Sequence, residues 1–143
     1  PVVAGDLVLA AAEDKSPYLW AFTRKDGKEV WKHKMKGGYW GTPAVVGDSV
    51  YVGAAGGKLD CLELRTGKAR WSYELGGGTW GSPAVVDGKV LIGDFEGGFH
   101  CVEASSGKGL WTMKLGGRLH SSPVPIGGRI FLGSTDDWFH CIG

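Results

Sequence analysis

Residues 79–118 read TWGSPAVVDGKVLIGDFEGGFHCVEASSGKGLWTMKLGGR and follow directly on residues 39–78, which read YWGTPAVVGDSVYVGAAGGKLDCLELRTGKARWSYELGGG. The two blocks are identical at 17 of 40 positions without a gap, among them Trp40/Trp80, Gly41/Gly81, the Pro-Ala-Val-Val run, Gly53/Gly93, Gly67/Gly107 and Trp71/Trp111. The period extends in both directions. Trp31, Trp71 and Trp111 are 40 residues apart, as are Pro43, Pro83 and Pro123, and Cys61, Cys101 and Cys141. A fixed period of roughly 20 to 50 residues marks a repeat architecture, in which each unit is one supersecondary element that must stack on its neighbours.

Each unit reads as β-structure. Short apolar or alternating runs at 44–46, 50–53, 59–63 and 69–75 are separated by Gly47-Asp48, Gly56-Gly57 and Thr66-Gly67-Lys68, punctuation that supplies the positive-φ positions of tight hairpins. No interval between turn signals is long enough for a stable amphipathic helix, and a 3.6-residue apolar stripe is missing. The expectation is an all-β chain of four-stranded antiparallel meanders. One meander cannot bury both its faces alone, so the units stack face to face as the blades of a β-propeller. Trp31, Trp71 and Trp111 each follow a turn glycine (Gly27, Gly67, Gly107) by four residues and fall on the fourth strand, where the ring covers the neighbouring blade. These six residues are assigned to inter-blade docking.

The string Ser-Pro-Ala-Val-Val-Asp-Gly-Lys-Val-Leu-Ile-Gly at 82–93 continues through Phe99-His100-Cys101-Val102-Glu103 to Ser106-Gly107-Lys108 and Trp111. It resembles the pyrroloquinoline-quinone-type propeller repeat, and the resemblance covers the whole chain. The resemblance implies that the recurring Gly and Trp dock neighbouring blades. The family includes quinoprotein dehydrogenases, usually eight-bladed, and non-catalytic propellers such as the lipoprotein of the bacterial outer-membrane barrel-assembly machinery. The chain resembles the non-catalytic members.

The units divide at about 1–38, 39–78, 79–118 and 119–143, a single partial propeller of three and a half blades in an incomplete ring. In the first unit the loop at 11–17 is two residues longer than its counterpart in the second and is expected to be polar and exposed. Aligning Pro1 with Ala44 starts the chain inside a first strand, and aligning Gly143 with Glu63 stops it at the end of a third. The expected reasons are that these residues belong to a longer polypeptide, that two copies close one ring as a homodimer, or that a second chain supplies the rest.

Composition narrows the classes of partner. Sixteen basic residues nearly cancel 15 acidic ones, for a net charge of +1, so no basic surface for nucleic acid is expected. Charges interrupt every hydrophobic run short of the roughly 18 apolar residues needed for a membrane span. The chain contains no Asn, which excludes N-glycosylation.

Several residues invite a chemical reading. Cys61, Cys101 and Cys141 hold one position on successive third strands, about 10 Å apart by sheet spacing, too far for disulfides and without the short spacings of a zinc site. They are expected to be buried, reduced and structural. His100 and His140 share a column with Asp60 on the opposite sheet face, which reads as a solvated or inter-blade polar site. His120-Ser121-Ser122 lacks the oriented base and oxyanion hole of a triad. The Gly-rich run at 76–81 precedes a strand, not the helix a dinucleotide site requires. Asp136-Asp137 reads as a solvated turn. The column of Trp40, Trp80 and His120, with nearby Tyr39 and Arg118, lies in the links from an outer strand to the next inner one. Aromatics repeated there either form a binding collar at a mouth of the central channel or cap the core.

The sequence departs from a quinoprotein dehydrogenase in having no Asn, no adjacent cysteine pair and no Cys-x-x-Cys-His haem motif. No catalytic residue, cofactor or metal is assigned to these residues. The reading adopted is a non-catalytic propeller scaffold for protein–protein interaction, periplasmic or secreted. Its alternatives are part of a quinone-dependent dehydrogenase whose catalytic residues lie elsewhere, and a sensor or accessory propeller of a multidomain enzyme.

Overall fold

A computed structural model describes residues 1–11 and 17–143; the longer loop expected at 11–17 falls, apart from its two ends, outside the described residues. Among the described residues, fifteen strands lie in antiparallel meanders. The first sheet is β1 (Val2–Ala4), β2 (Leu7–Ala11), β3 (Tyr18–Thr23) and β4 (Glu29–Lys34). The second is β5 (Ala44–Val46), β6 (Ser49–Ala54), β7 (Lys58–Glu63) and β8 (Ala69–Glu74). The third is β9 (Ala84–Val86), β10 (Lys89–Gly93), β11 (Gly98–Glu103) and β12 (Gly109–Lys114). The fourth has three strands, β13 (Val124–Ile126), β14 (Arg129–Gly133) and β15 (Phe139–Ile142). These are propeller blades, and the ring is not closed.

The hairpin turns correct one alignment. Gly5-Asp6 joins the pair Ala4/Leu7 just as Gly47-Asp48 joins Val46/Ser49, so Val2 is the counterpart of Ala44 and Pro1 that of Pro43. Pro1 therefore precedes the first strand and does not lie within it.

Successive residues of a strand point to opposite faces, and in a stacked blade both faces are covered. Along β6, Val50 and Val52 pack toward the first blade with Leu9, Leu19, Ala21 and Leu62, whereas Tyr51 packs toward the third with Leu59, Cys61, Val90, Ile92 and Val102. A third cluster of Leu91, Phe99, Cys101, Leu119 and Leu132 fills the next interface. Cys61, Cys101 and Cys141 are free thiols; the first two are buried, but Cys141 is exposed because the face of β15 on which it lies has no further blade over it.

The fourth strand carries the docking contact. In blades one to three the register slips by one residue just before the tryptophan, at Ala21/Phe22, Cys61/Leu62 and Cys101/Val102, a bulge that re-aims the ring. Trp31 then lies against Gly67 of the second blade, and its Nε1–H donates to Leu64 O at 2.9 Å. Trp71 repeats this on Gly107, donating to Ala104 O at 3.0 Å. Glycine is required at both turns. Their φ values are +68° and +75°, and a Cβ would come within 2.5 Å of the Trp31 ring or 2.6 Å of the Trp71 ring. Trp111 has no following turn to cover and is 38% exposed, and the space around Gly27 is open.

Truncating a buried tryptophan costs about 3 to 5 kcal/mol. Chemical denaturation should rank Trp31→Ala as the most damaging, Trp71→Ala next and Trp111→Ala least, because the rings become progressively more exposed. Equal losses at all three would show that the ring-on-glycine contact is not the source of the stability.

Candidate functional site

The link leaving β4 crosses the β6–β7 turn of the next blade: Ala55 N donates to Gly38 O at 3.0 Å and Gly56 N to Lys36 O at 2.8 Å. The later links repeat this, with Phe95 N donating to Gly78 O and Thr135 N to Arg118 O. The links then converge. A Cβ on Gly41 would lie 2.8 Å from Gly81 O, and one on Gly81 would lie 2.8 Å from Ser121 O. Thr42 N donates to Ser82 Oγ at 2.7 Å, and Ser82 N to Ser122 Oγ at 2.9 Å. This convergence places β5, β9 and β13 at the inner rim of the arc, with the link residues at one end of it.

At that end stands a row of aromatic rings. The centroids of Trp40 and Trp80 are 5.3 Å apart, and those of Trp80 and His120 are 4.6 Å apart. Phe95 meets Trp80 and His120 edge-on at 4.9 and 5.3 Å. Trp40 is 51% exposed and Trp80 40%, while His120 Nε2 is buried with no hydrogen-bond partner among the described residues. Tyr39 is not on the row; it is buried in the core between the first two blades. Arg118 is exposed, and its backbone N–H donates to Thr135 Oγ1. Phe95 escaped the sequence reading, although it marks itself there as a bulky residue in a turn where the neighbouring units have Ala55 and Thr135. The row offers an apolar surface with indole N–H donors, suited to packing against another molecule.

Beneath the row the interfaces hold buried polar groups. Between blades one and two, His33 Nε2 lies 3.6 Å from Asp60 Oδ2, and Ser72 Oγ donates to Asp60 Oδ1 at 2.5 Å. Between blades two and three, the Asp94 carboxylate accepts from the backbone N–H groups of Gly76, Glu96 and Gly98 and from His100 Nε2 at 2.9 Å. His100 Nδ1 then accepts from Tyr73 Oη and Thr112 Oγ1. The column of Asp60 and His100 is thus inter-blade and buried, not solvated. His140 is half-buried, with Nε2 2.9 Å from Ser134 Oγ. Ser121 Oγ is occupied by both backbone groups of Gly133, and Ser122 Oγ by Ser82 N. Asp136 accepts a hydrogen bond from Ser134, which holds its exposed carboxyl below the usual range. Among the described residues no group of three or more His, Cys, Asp or Glu is placed to hold a metal ion, and no helix is long and apolar enough to cross a membrane.

Burial pushes the Asp60 carboxyl up, but the hydrogen bonds from His33 and Ser72 and the charge of His33 outweigh it, so its pKa lies below the usual value of 3.8. A depressed carboxyl contributes stability that is present above its unfolded pKa and lost as pH falls through the folded one. Asp60→Asn should therefore lower the melting temperature at neutral pH and flatten its fall below about pH 4. An acid-melting profile unchanged by the substitution would show that Asp60 does not contribute to stability in this way.

The profile of the family described as outer membrane protein assembly factor BamB matches residues 1–142. Among solved structures, BamB from Moraxella catarrhalis superposes with a TM-score of 0.84 at 21% identity, covering 96% of this chain and 43% of that one. The quinohemoprotein alcohol dehydrogenase ADHIIG from Pseudomonas putida HK5 gives 0.66 at 25% identity, covering 79% of this chain and 20% of that one. A europium-containing methanol dehydrogenase gives 0.69 at 18%, covering 78% and 23%. The chain thus spans less than half the length of each of these relatives. No curated protein matches it by sequence. With blades, link geometry and profile in agreement over nearly every residue, the chain belongs to the BamB family of quinoprotein-type propeller repeats.

Proposed function

We propose that the chain is a non-catalytic scaffold for protein–protein interaction in outer-membrane protein assembly, acting in the periplasm. The observation that carries this reading is the aromatic row at the converging links, in which Trp40 and Trp80 are exposed and are backed by half-buried Phe95 and His120. Exposed tryptophans on a rigid frame are the anchors that dominate binding energy at protein interfaces. The family description supports the process.

The two ends of the arc are covered, in this reading, by further blades of the same polypeptide or of a second copy. Trp138 and Phe139 are 68% and 72% exposed, Ile126 and Val124 lie bare on β13, and Trp111 has no glycine beneath it. A second reading, part of a quinone-dependent dehydrogenase, draws on the 25% identity to the alcohol dehydrogenase.

A photoreactive phenylalanine at position 40 should crosslink to one discrete outer-membrane assembly protein, and Trp80→Ala should suppress that product by tenfold or more, the scale of a hot-spot loss of roughly 2 kcal/mol. Crosslinks arising only from a control at Lys28, on an outer turn, would refute the row as the docking surface. Saturable, calcium-dependent binding of pyrroloquinoline quinone would favour the dehydrogenase instead. The intact mass of the native protein, measured with its solution mass, should show either a polypeptide well above 15.2 kDa or a 15.2 kDa chain that dimerises. A monodisperse 15.2 kDa monomer would overturn the proposal that the ends are covered.

A further inference from the structure

The inter-blade interfaces follow one plan, so each acts as a control for the next. Between blades one and two, the space beside the docked indole is narrowed by Leu7, Leu9 and Leu64, all buried. Hairpin register and the 40-residue period put Ser49, Tyr51 and Ala104 at the same places between blades two and three. Val30, the bulge residue of β4, becomes Arg70 in β8, and Arg65 becomes Ser105. The first interface keeps a smaller cleft of about 450 Å³ at this place, beside Val45, Gly47, Leu64 and Arg65, and these exchanges enlarge it to about 810 Å³, with a lining that includes Ser49, Tyr51, Cys61, Arg70, Trp71 and Val86. Small-molecule sites usually measure roughly 300 to 1,000 Å³. The cleft lies at the hairpin-turn end of the sheets, beside Asp87 and Gly88, at the opposite end from the links and their aromatic row.

Its one cation is paired within its own blade. Arg70 donates to Asp48 Oδ2 at 2.6 Å and to Ser49 Oγ at 2.8 Å, an ion pair that cancels its charge and leaves further guanidinium N–H donors in reserve. Burial pushes both the Tyr51 phenol and the Cys61 thiol up, so both stay neutral at physiological pH. Tyr51 Oη and Trp71 Nε1 both donate to Ala104 O, which turns the two rings into fixed walls. On the rim, the Glu103 carboxylate accepts from Ser106, and Asp87 is exposed. Aromatic walls, an aliphatic side and a donor whose charge is already paired suit a guest that carries a neutral acceptor, and the rim carboxylates Asp87 and Glu103 disfavour an anionic one.

We propose that this cleft binds an uncharged molecule in which an aromatic or branched aliphatic group is joined to a carbonyl. The apolar group packs on Tyr51, Trp71 and Val86, and the carbonyl accepts a hydrogen bond from Arg70. The site does not depend on the scaffold role of the aromatic row.

The test is a titration of the protein with N-acetyl-L-phenylalaninamide, followed by backbone amide NMR. Saturable shifts at Ser49, Cys61, Arg70 and Ala104 are expected, with none at Trp40 or Trp80, and N-acetylglycinamide should leave the spectrum unchanged. Ala104→Leu and Ser49→Leu, each restoring a residue of the narrower first interface, should weaken binding at least tenfold. Arg70→Val, at an exposed position whose counterpart is Val30, should keep the fold and weaken binding roughly tenfold, the scale of one hydrogen bond to a charged group. No saturable shift at the cleft overturns the proposal, as does binding that survives Arg70→Val undiminished or shifts confined to Trp138 and Phe139. A blocked five-residue peptide centred on phenylalanine distinguishes the source of the guest: tighter binding than the single residue marks an inserted peptide side chain, and equal or weaker binding marks a free small molecule.

Discussion

An indole laid against a glycine of the next blade is the contact on which the rest of the arc depends. It buries a large ring, satisfies the indole N–H on a backbone carbonyl and sets the distance between sheets at once. The glycine serves two needs that no other residue meets together, a left-handed backbone and the absence of a Cβ where the ring lies. The bulge in the strand that bears the tryptophan turns the ring toward its neighbour. With the sheets held at that distance, Val50, Val52, Val90 and Ile92 find apolar partners on both sides, and strands that would be half-solvated alone become fully buried.

Most of the fold was legible because the repeat carries the same instructions at every copy. Turn pairs, the Pro-Ala-Val-Val opening and the Gly-x-x-x-Trp spacing give strands whose observed bounds lie within a residue or two of those read from the pattern. What was not legible lies where the copies differ. Asp94 replaces Ala54 and His100 replaces Asp60, two departures that explain each other only once they are seen 2.9 Å apart. Periodicity sees a single position at a time, whereas a buried hydrogen-bonded pair needs two. Phe95 escaped for a related reason, being a single-copy residue whose meaning comes from the rings of Trp80 and His120 beside it. Cys141 followed the period and was misread, because equivalence in sequence does not confer burial when no sheet lies over the position.

The interfaces combine a common frame with individual fillings. Leucines narrow the first, a tyrosine and an arginine leave more room in the second, and the polar groups differ as well: His33 and Asp60 meet across the first interface, whereas Asp94 and His100 both lie on the third blade and reach the second through Gly76 N and Tyr73 Oη. Polar pairs of this kind add little net stability over apolar packing, but a mismatched partner leaves a buried charge uncompensated.

The docking contact also bears on how such a ring grows. Each 40-residue unit carries the tryptophan that reaches forward and the glycine that receives the ring from behind. A duplicated unit therefore arrives with both halves of its joint already matched to either neighbour. Gene duplication can lengthen the array without inventing an interface, and the single-copy residues between blades are where a new unit would afterwards acquire its own address.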